Sequence, residues 1–120
     1  MRKAKTTNPE LVKLIRFLKK QTTDNKAEIW KDIAERLAKP RRNRPAVNLS
    51  RLNRYTQENE FVVVPGKVLS TGEISHPITV TALAFSEKAK EKINASKGKC
   101  LSFAELAKNN PKGSNIKIIG

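Results

Sequence analysis

The chain has 120 residues, 38% of them hydrophobic and 30% charged, and its 25 Lys+Arg against 11 Asp+Glu give a formal net charge of +14. That length suits one small core, and a positive excess on this scale, which destabilises a compact chain by self-repulsion, points to an anionic partner. No run approaches the ~18 consecutive apolar residues of a membrane span, no apolar signal region opens the chain, and the single Cys100 excludes an intrachain disulfide, so a cytosolic, reducing setting is expected.

Residues 1–7 carry Arg2, Lys3 and Lys5 and no apolar periodicity. This is the profile of a flexible basic arm that orders only on a partner, and residues 8–120 are expected to form the single globular domain. Asn8, Pro9 and Glu10 supply an N-cap, a first-turn proline and an acid at the positive end of a helix dipole. Leu11, Leu14, Ile15 and Leu18 follow at helical spacing, so their stripe is core. A second helix is predicted from a capping box of Asn25 and Glu28, along Ile29, Trp30, Ile33, Ala34 and Leu37, to a stop at Pro40. The two helices form a hairpin.

From Lys39 to Pro45 two prolines resist helix, so Arg41, Arg42 and Arg44 are placed on an extended loop. Asn48 is expected to cap a short helix through Gln57, with Arg51 and Arg54 on one face and Leu49, Leu52 and Tyr55 on the inner one. Phe61–Val64 and Lys67–Leu69 read as two short strands divided by Pro65 and Gly66. Ile78 to Phe85 is the longest strand, and its apolar end suggests burial on both faces. Ser86 caps a helix from Glu87 to near Gly98, Lys99–Leu101 is a short strand, and Ser102-Phe103-Ala104-Glu105 is a capping box that opens a helix to about Lys108. After a loop over 109–115, Ile116–Ile119 makes the last strand. Strands alternating with helices around one small sheet give an α/β class.

All eight arginines precede residue 55, and Arg36 to Gln57 holds seven basic residues with no acid among them. Solvated faces usually mix both signs, and the planar guanidinium fork suits bidentate phosphate contact and base stacking. Nucleic acid is therefore the favoured partner, with Arg41, Arg42, Arg44, Arg51 and Arg54 reaching phosphates and Asn48 and Ser50 donating supporting hydrogen bonds. The alternative is that these arginines pair with carboxylates elsewhere in the fold. Trp30 is expected to be buried on the stripe of the second helix, the alternative being a surface ring that stacks on RNA.

Catalytic chemistry finds little footing. His76 and Cys100 are each the sole residue of their type, no metal-ligand spacing occurs, and the glycines fit no Walker or dinucleotide pattern. No catalytic residue, metal, cofactor or small-molecule substrate is expected: Cys100 reads as a small core hydrophobe and His76, before Pro77, as a turn residue. The few aromatic residues are not clustered as in base-stacking modules, which favours docking on folded RNA through phosphates over sequence-selective reading of single strands. A chromatin-like DNA-binding protein would share the charge but usually presents a recognition helix or wedge, and an RNA-modifying enzyme would need an acid/base constellation or cofactor loop.

Several segments together resemble the archaeal large-subunit ribosomal protein eighteen-e family, sister of bacterial large-subunit protein fifteen. They are Ile29-Trp30-Lys31-Asp32-Ile33-Ala34, Pro40-Arg41-Arg42 with Val47-Asn48-Leu49-Ser50-Arg51-Leu52-Asn53-Arg54, and Val62-Val63-Val64-Pro65-Gly66-Lys67-Val68-Leu69. Phe85-Ser86 with Ala89 and Lys92-Ile93, Lys97-Gly98-Lys99 to Leu106, and Asn110-Pro111-Lys112-Gly113-Ser114-Asn115 close the series. The likeness covers nearly the whole chain, while Cys100 and Ser70-Thr71 depart from commoner family residues. After the helical hairpin already read from the spacing, it implies an irregular superhelix of strand-strand-helix units, a structural place on large-subunit rRNA beside neighbouring ribosomal proteins, and no catalytic role. The candidate RNA-binding set is then Arg2, Lys3, Lys5, Lys39, Arg41, Arg42, Arg44, Asn48, Ser50, Arg51, Arg54, Lys67, Lys112, Ser114 and Asn115.

Overall fold

A computed structural model describes residues 9–40, 44–113 and 115–120. In chain order the elements are α1 (Pro9–Asn25), α2 (Glu28–Leu37), β1 (Ala46–Asn48), α3 (Leu49–Tyr55), β2 (Phe61–Leu69), β3 (Thr79–Phe85), α4 (Glu87–Ala95), β4 (Lys99–Leu101), α5 (Phe103–Asn109) and β5 (Ile116–Ile118). The class is α/β, as expected, with a helical hairpin leading into strands and helices in alternation. Asn8, the expected cap of the first helix, lies outside the described residues.

Every strand pairing among the described residues is parallel. β2 is the axis of the sheet: β3 runs along one edge, with β4 beyond it, and the other edge is shared by β5 at Phe61–Val63 and β1 at Lys67–Leu69. This sharing explains why one strand reads in the sequence as two. Pro65 and Gly66 sit in the gap between the two shared partners, and the β3 register also shifts between Val64 and Lys67. A proline has no N–H to give a ladder, so it is tolerated where no partner asks for one. Gly66 is required by what passes there: a Cβ on it would lie 2.0 Å from the Pro45 carbonyl oxygen. That carbonyl accepts from Lys67 N at 3.0 Å, which docks the chain entering β1 against β2.

Side-chain alternation along β2 divides the core. Val62 and Val64 pack with Val47, Leu49, Leu52, Ile78, Val80 and Ile93, under α3 and α4. Val63 points the other way, into a cluster with Leu18, Trp30, Ile33, Leu37, Phe103 and Leu106 under the α1–α2 hairpin and α5. The sheet therefore has helices on both faces, as parallel sheets do.

Caps at Ser86 and Ser102 form as expected: Ser86 Oγ accepts from Ala89 N at 3.1 Å, and Ser102 with Glu105 makes a reciprocal capping box. The expected box at Asn25 and Glu28 does not form. Asn25 is still inside α1, its side chain donating to Gln21 at 2.7 Å, and Ala27 takes the N-cap position of α2 without a side-chain bond. Asn48 likewise precedes α3 without capping it, and β1 is a strand that the proline-rich composition of its surroundings conceals. α4 ends at Ala95, before Gly98. Tyr55 also departs from expectation. It is 53% exposed, and Thr56, 7% exposed, turns inward below Leu52 in its place.

Candidate nucleic-acid interface

α3 has only seven residues, too few to hold its shape alone, and its position is set by what grips it. Leu49 and Leu52 anchor it in the core. The loop 70–78, which carries the chain from β2 to β3, fastens its other inward side at three successive points. Ser50 N donates to the Thr71 carbonyl at 3.1 Å. Asn53 Oδ1 accepts from both the amide and the hydroxyl of Ser75 at 3.0 Å. The Thr56 hydroxyl donates to the Leu52 carbonyl at 2.6 Å and, its proton thus committed, accepts from His76 Nε2 at 2.8 Å.

Gly72 makes the close approach possible, since its φ is +94° and a Cβ there would lie 2.5 Å from Ser50 Cβ. Lys92 of α4 holds the same loop from behind: its ammonium donates to the carbonyls of Ser70 (3.0 Å) and Gly72 (2.9 Å) and pairs with Glu73 at 3.0 Å.

With one side of the helix so occupied, Ser50, Arg51, Arg54 and Tyr55 face solvent. Neither Arg51 nor Arg54 has a carboxylate partner among the described residues, whereas Arg36, at the start of the acid-free stretch, pairs with Asp32 at 3.0 Å. The Arg54 guanidinium lies 6.0 Å from the Tyr55 ring centroid, at the outer limit of a cation–π contact. Asn48 Oδ1 is enclosed without a hydrogen-bond partner among the described residues.

The remaining candidates fall into separate groups. Lys39 is exposed, while Arg44 is half-buried and turns one amine back on the end of α2, donating to the Leu37 (3.0 Å) and Lys39 (3.3 Å) carbonyls. Across a shallow cleft of 240 Å³, Arg44 faces exposed Lys67. Lys112 and Asn115 are exposed at the opposite end of α2, where Trp30 Nε1 donates to the Pro111 carbonyl at 2.8 Å and Gly113 abuts Ile29. Arg2, Lys3, Lys5, Arg41, Arg42 and Ser114 lie outside the described residues.

Two residues outside the candidate set also belong to this surface: Lys117, and Tyr55, which the spacing places on the inner face. Lys117 of β5 reaches across to α3, donating to the Tyr55 carbonyl at 3.0 Å and pairing with Glu60 at 3.1 Å. The Gln57 amide and the Lys117 ammonium hold the Glu60 carboxyl below its usual value. Only the inward/outward alternation of Ile116-Lys117-Ile118 hints that Lys117 faces out, and nothing local says that Tyr55 would join it.

No three His, Cys, Asp or Glu converge among the described residues, and burial beside the core pushes the Cys100 thiol up, away from the reactive thiolate. No helix among the described residues is long and apolar enough to cross a membrane.

Comparison with known proteins gives a consistent picture. The chain matches the family described as ribosomal protein 60S L18 and 50S L18e over residues 1–120. It is 50% identical over 119 residues to the large ribosomal subunit protein eL18 of Methanothermobacter thermautotrophicus, covering 99% of this chain and 98% of that one. Against eL18 of Archaeoglobus fulgidus it is 50% identical over 113 residues, 94% and 97% of the two chains. At that identity over nearly the full length of both proteins, the chain belongs to the family of ribosomal proteins 60S L18 and 50S L18e, structural proteins of the large ribosomal subunit and not enzymes.

Proposed function

We propose that this structural constituent of the large subunit works in the cytoplasm by docking on folded large-subunit rRNA through the outer face of α3 and the arginine-rich loop before β1. The observation that carries this reading is the pair of exposed guanidinium groups, Arg51 and Arg54, one turn apart on a helix gripped from the other side and lacking carboxylate partners among the described residues. A rigid helix offering such forks suits bidentate contact with successive phosphates. Lys39, Arg41, Arg42 and Arg44 extend the same chemistry along the loop, with Asn48 and Ser50 as hydrogen-bond donors. Lys67 and the loop of Lys112, Ser114 and Asn115 are further contacts with rRNA, and the arm bearing Arg2, Lys3 and Lys5 orders on it. Neighbouring ribosomal proteins complete the surroundings.

Such binding is chiefly electrostatic, so it must weaken with salt. If about five side chains neutralise phosphates, the slope of log affinity against log salt is several units, because each contact releases condensed counterions. A titration of deproteinised large-subunit rRNA between roughly 50 and 200 mM salt reads that slope directly. A nearly flat dependence overturns the reading.

A further inference from the structure

We propose that the open cleft between α3 and β5 receives a single unstacked nucleotide of the rRNA, its base against the ring of Tyr55 and its phosphate on Arg51. The inference rests on the RNA reading above and deepens it, adding a specific subsite to what is otherwise a field of charge.

The cleft is lined by Arg51, Tyr55, Lys117, Ile118 and Ile119 and measures 430 Å³, within the roughly 300–1,000 Å³ typical of small-molecule sites. Its composition is what one nucleotide requires: an aromatic plane, an aliphatic floor and cations at the rim. Tyr55 is the one large hydrophobic side chain left exposed among the described residues. Helical spacing would have allowed it to turn inward with Leu49 and Leu52, but Thr56 occupies that place, tied to Leu52 and His76.

Charge selects the occupant. Lys117 spends two of its three ammonium protons on the Tyr55 carbonyl and Glu60, which fixes it at the rim with one proton left for an oxygen or ring-nitrogen acceptor. Glu60 offsets its charge, so among the described residues the cation at the cleft without a carboxylate partner is Arg51. An arginine beside an exposed aromatic ring, on a helix that also presents Arg54, matches a phosphate followed by a base, and stacking on a tyrosine tolerates any base because every base has a π-face. An acidic peptide would satisfy Arg51 and leave the ring unused.

The test uses the full chain with deproteinised large-subunit rRNA and compares wild type with Tyr55→Phe, Tyr55→Leu and Tyr55→Ala. Because the ring is exposed, all four are expected to share one thermal midpoint. The ring face is kept by Phe alone, so Tyr55→Phe is expected to bind like wild type and Tyr55→Leu and Tyr55→Ala about tenfold more weakly. No charge changes, so the salt slope stays the same. Ultraviolet cross-linking of native large subunits should also leave a nucleotide adduct on the peptide containing Tyr55. Equal affinity for all four proteins, while Arg51 and Arg54 variants lose binding, overturns the nucleotide subsite and leaves the RNA reading intact. Absence of rRNA binding by the wild type itself overturns the RNA reading. An effect of Tyr55→Ala seen only in assembled subunits, and never on bare RNA, also overturns the subsite and assigns the ring to a protein neighbour.

Discussion

Trp30 shows how far helical spacing alone can place a single side chain. Its position on the α2 stripe predicts burial, and it is 0% exposed, so it has no ring face to offer a base. Its indole nitrogen ties α2 to the Pro111 carbonyl, which a stripe in the sequence cannot show. Replacing Trp30 by Ala should cost about 3–5 kcal/mol, mainly through the cavity, since water can replace the indole at Pro111, an exposed residue. Denaturant unfolding reads the loss, and a cost near zero would mean that the second core cluster does not hold the hairpin to the sheet. Tyr55 illustrates the opposite case. The spacing that pairs it with Leu52 extends to the last residue of α3, where the inward position passes to Thr56, and the reason is a hydrogen bond to His76 twenty residues away. Partners that distant leave no local trace.

The same division holds for whole elements. Helices α4 and α5 are legible because their caps are written in adjacent residues, Ser86 with Glu87 and Ser102 with Glu105. β2 reads as two strands because Pro65-Gly66 ordinarily ends one; only the sharing of its edge by β1 and β5 lets the strand pass through. The outward face of α3 follows from the three-residue spacing of Arg51 and Arg54, but the device that steadies it, the loop 70–78 held by Lys92, depends on residues from three elements. Lys92→Met keeps the aliphatic stem and removes the donors to Ser70 and Gly72 and the pair with Glu73. Charge-assisted bonds are worth roughly 1.5–3 kcal/mol when sheltered, and with this ammonium partly exposed the expected loss is about 1 kcal/mol. Amide hydrogen exchange at Ser50 and Ser75 should accelerate roughly in proportion, about fivefold. Unchanged exchange at both amides would show that α3 does not rely on this clasp.

Across the molecule, the candidate contacts among the described residues form separate groups rather than one pocket. Arg44 and Lys67 lie near the C-terminal end of α2, Lys112 and Asn115 near its N-terminal end, about 15 Å away for ten residues of helix, and Arg51, Arg54 and Tyr55 are on α3. A spread of this kind suits the proposed docking on a broad folded RNA surface, as does the net charge of +14. Diffuse charge alone, however, would make every cation interchangeable, while docking through α3 requires the guanidinium fork itself. The most direct test is the affinity of Arg51→Lys and Arg54→Lys proteins for deproteinised large-subunit rRNA at fixed salt, since lysine keeps the charge and loses the bidentate geometry. Each substitution is expected to weaken binding by about 1 kcal/mol or more with folding stability unchanged; affinities equal to wild type in both variants would contradict the docking of α3 on rRNA.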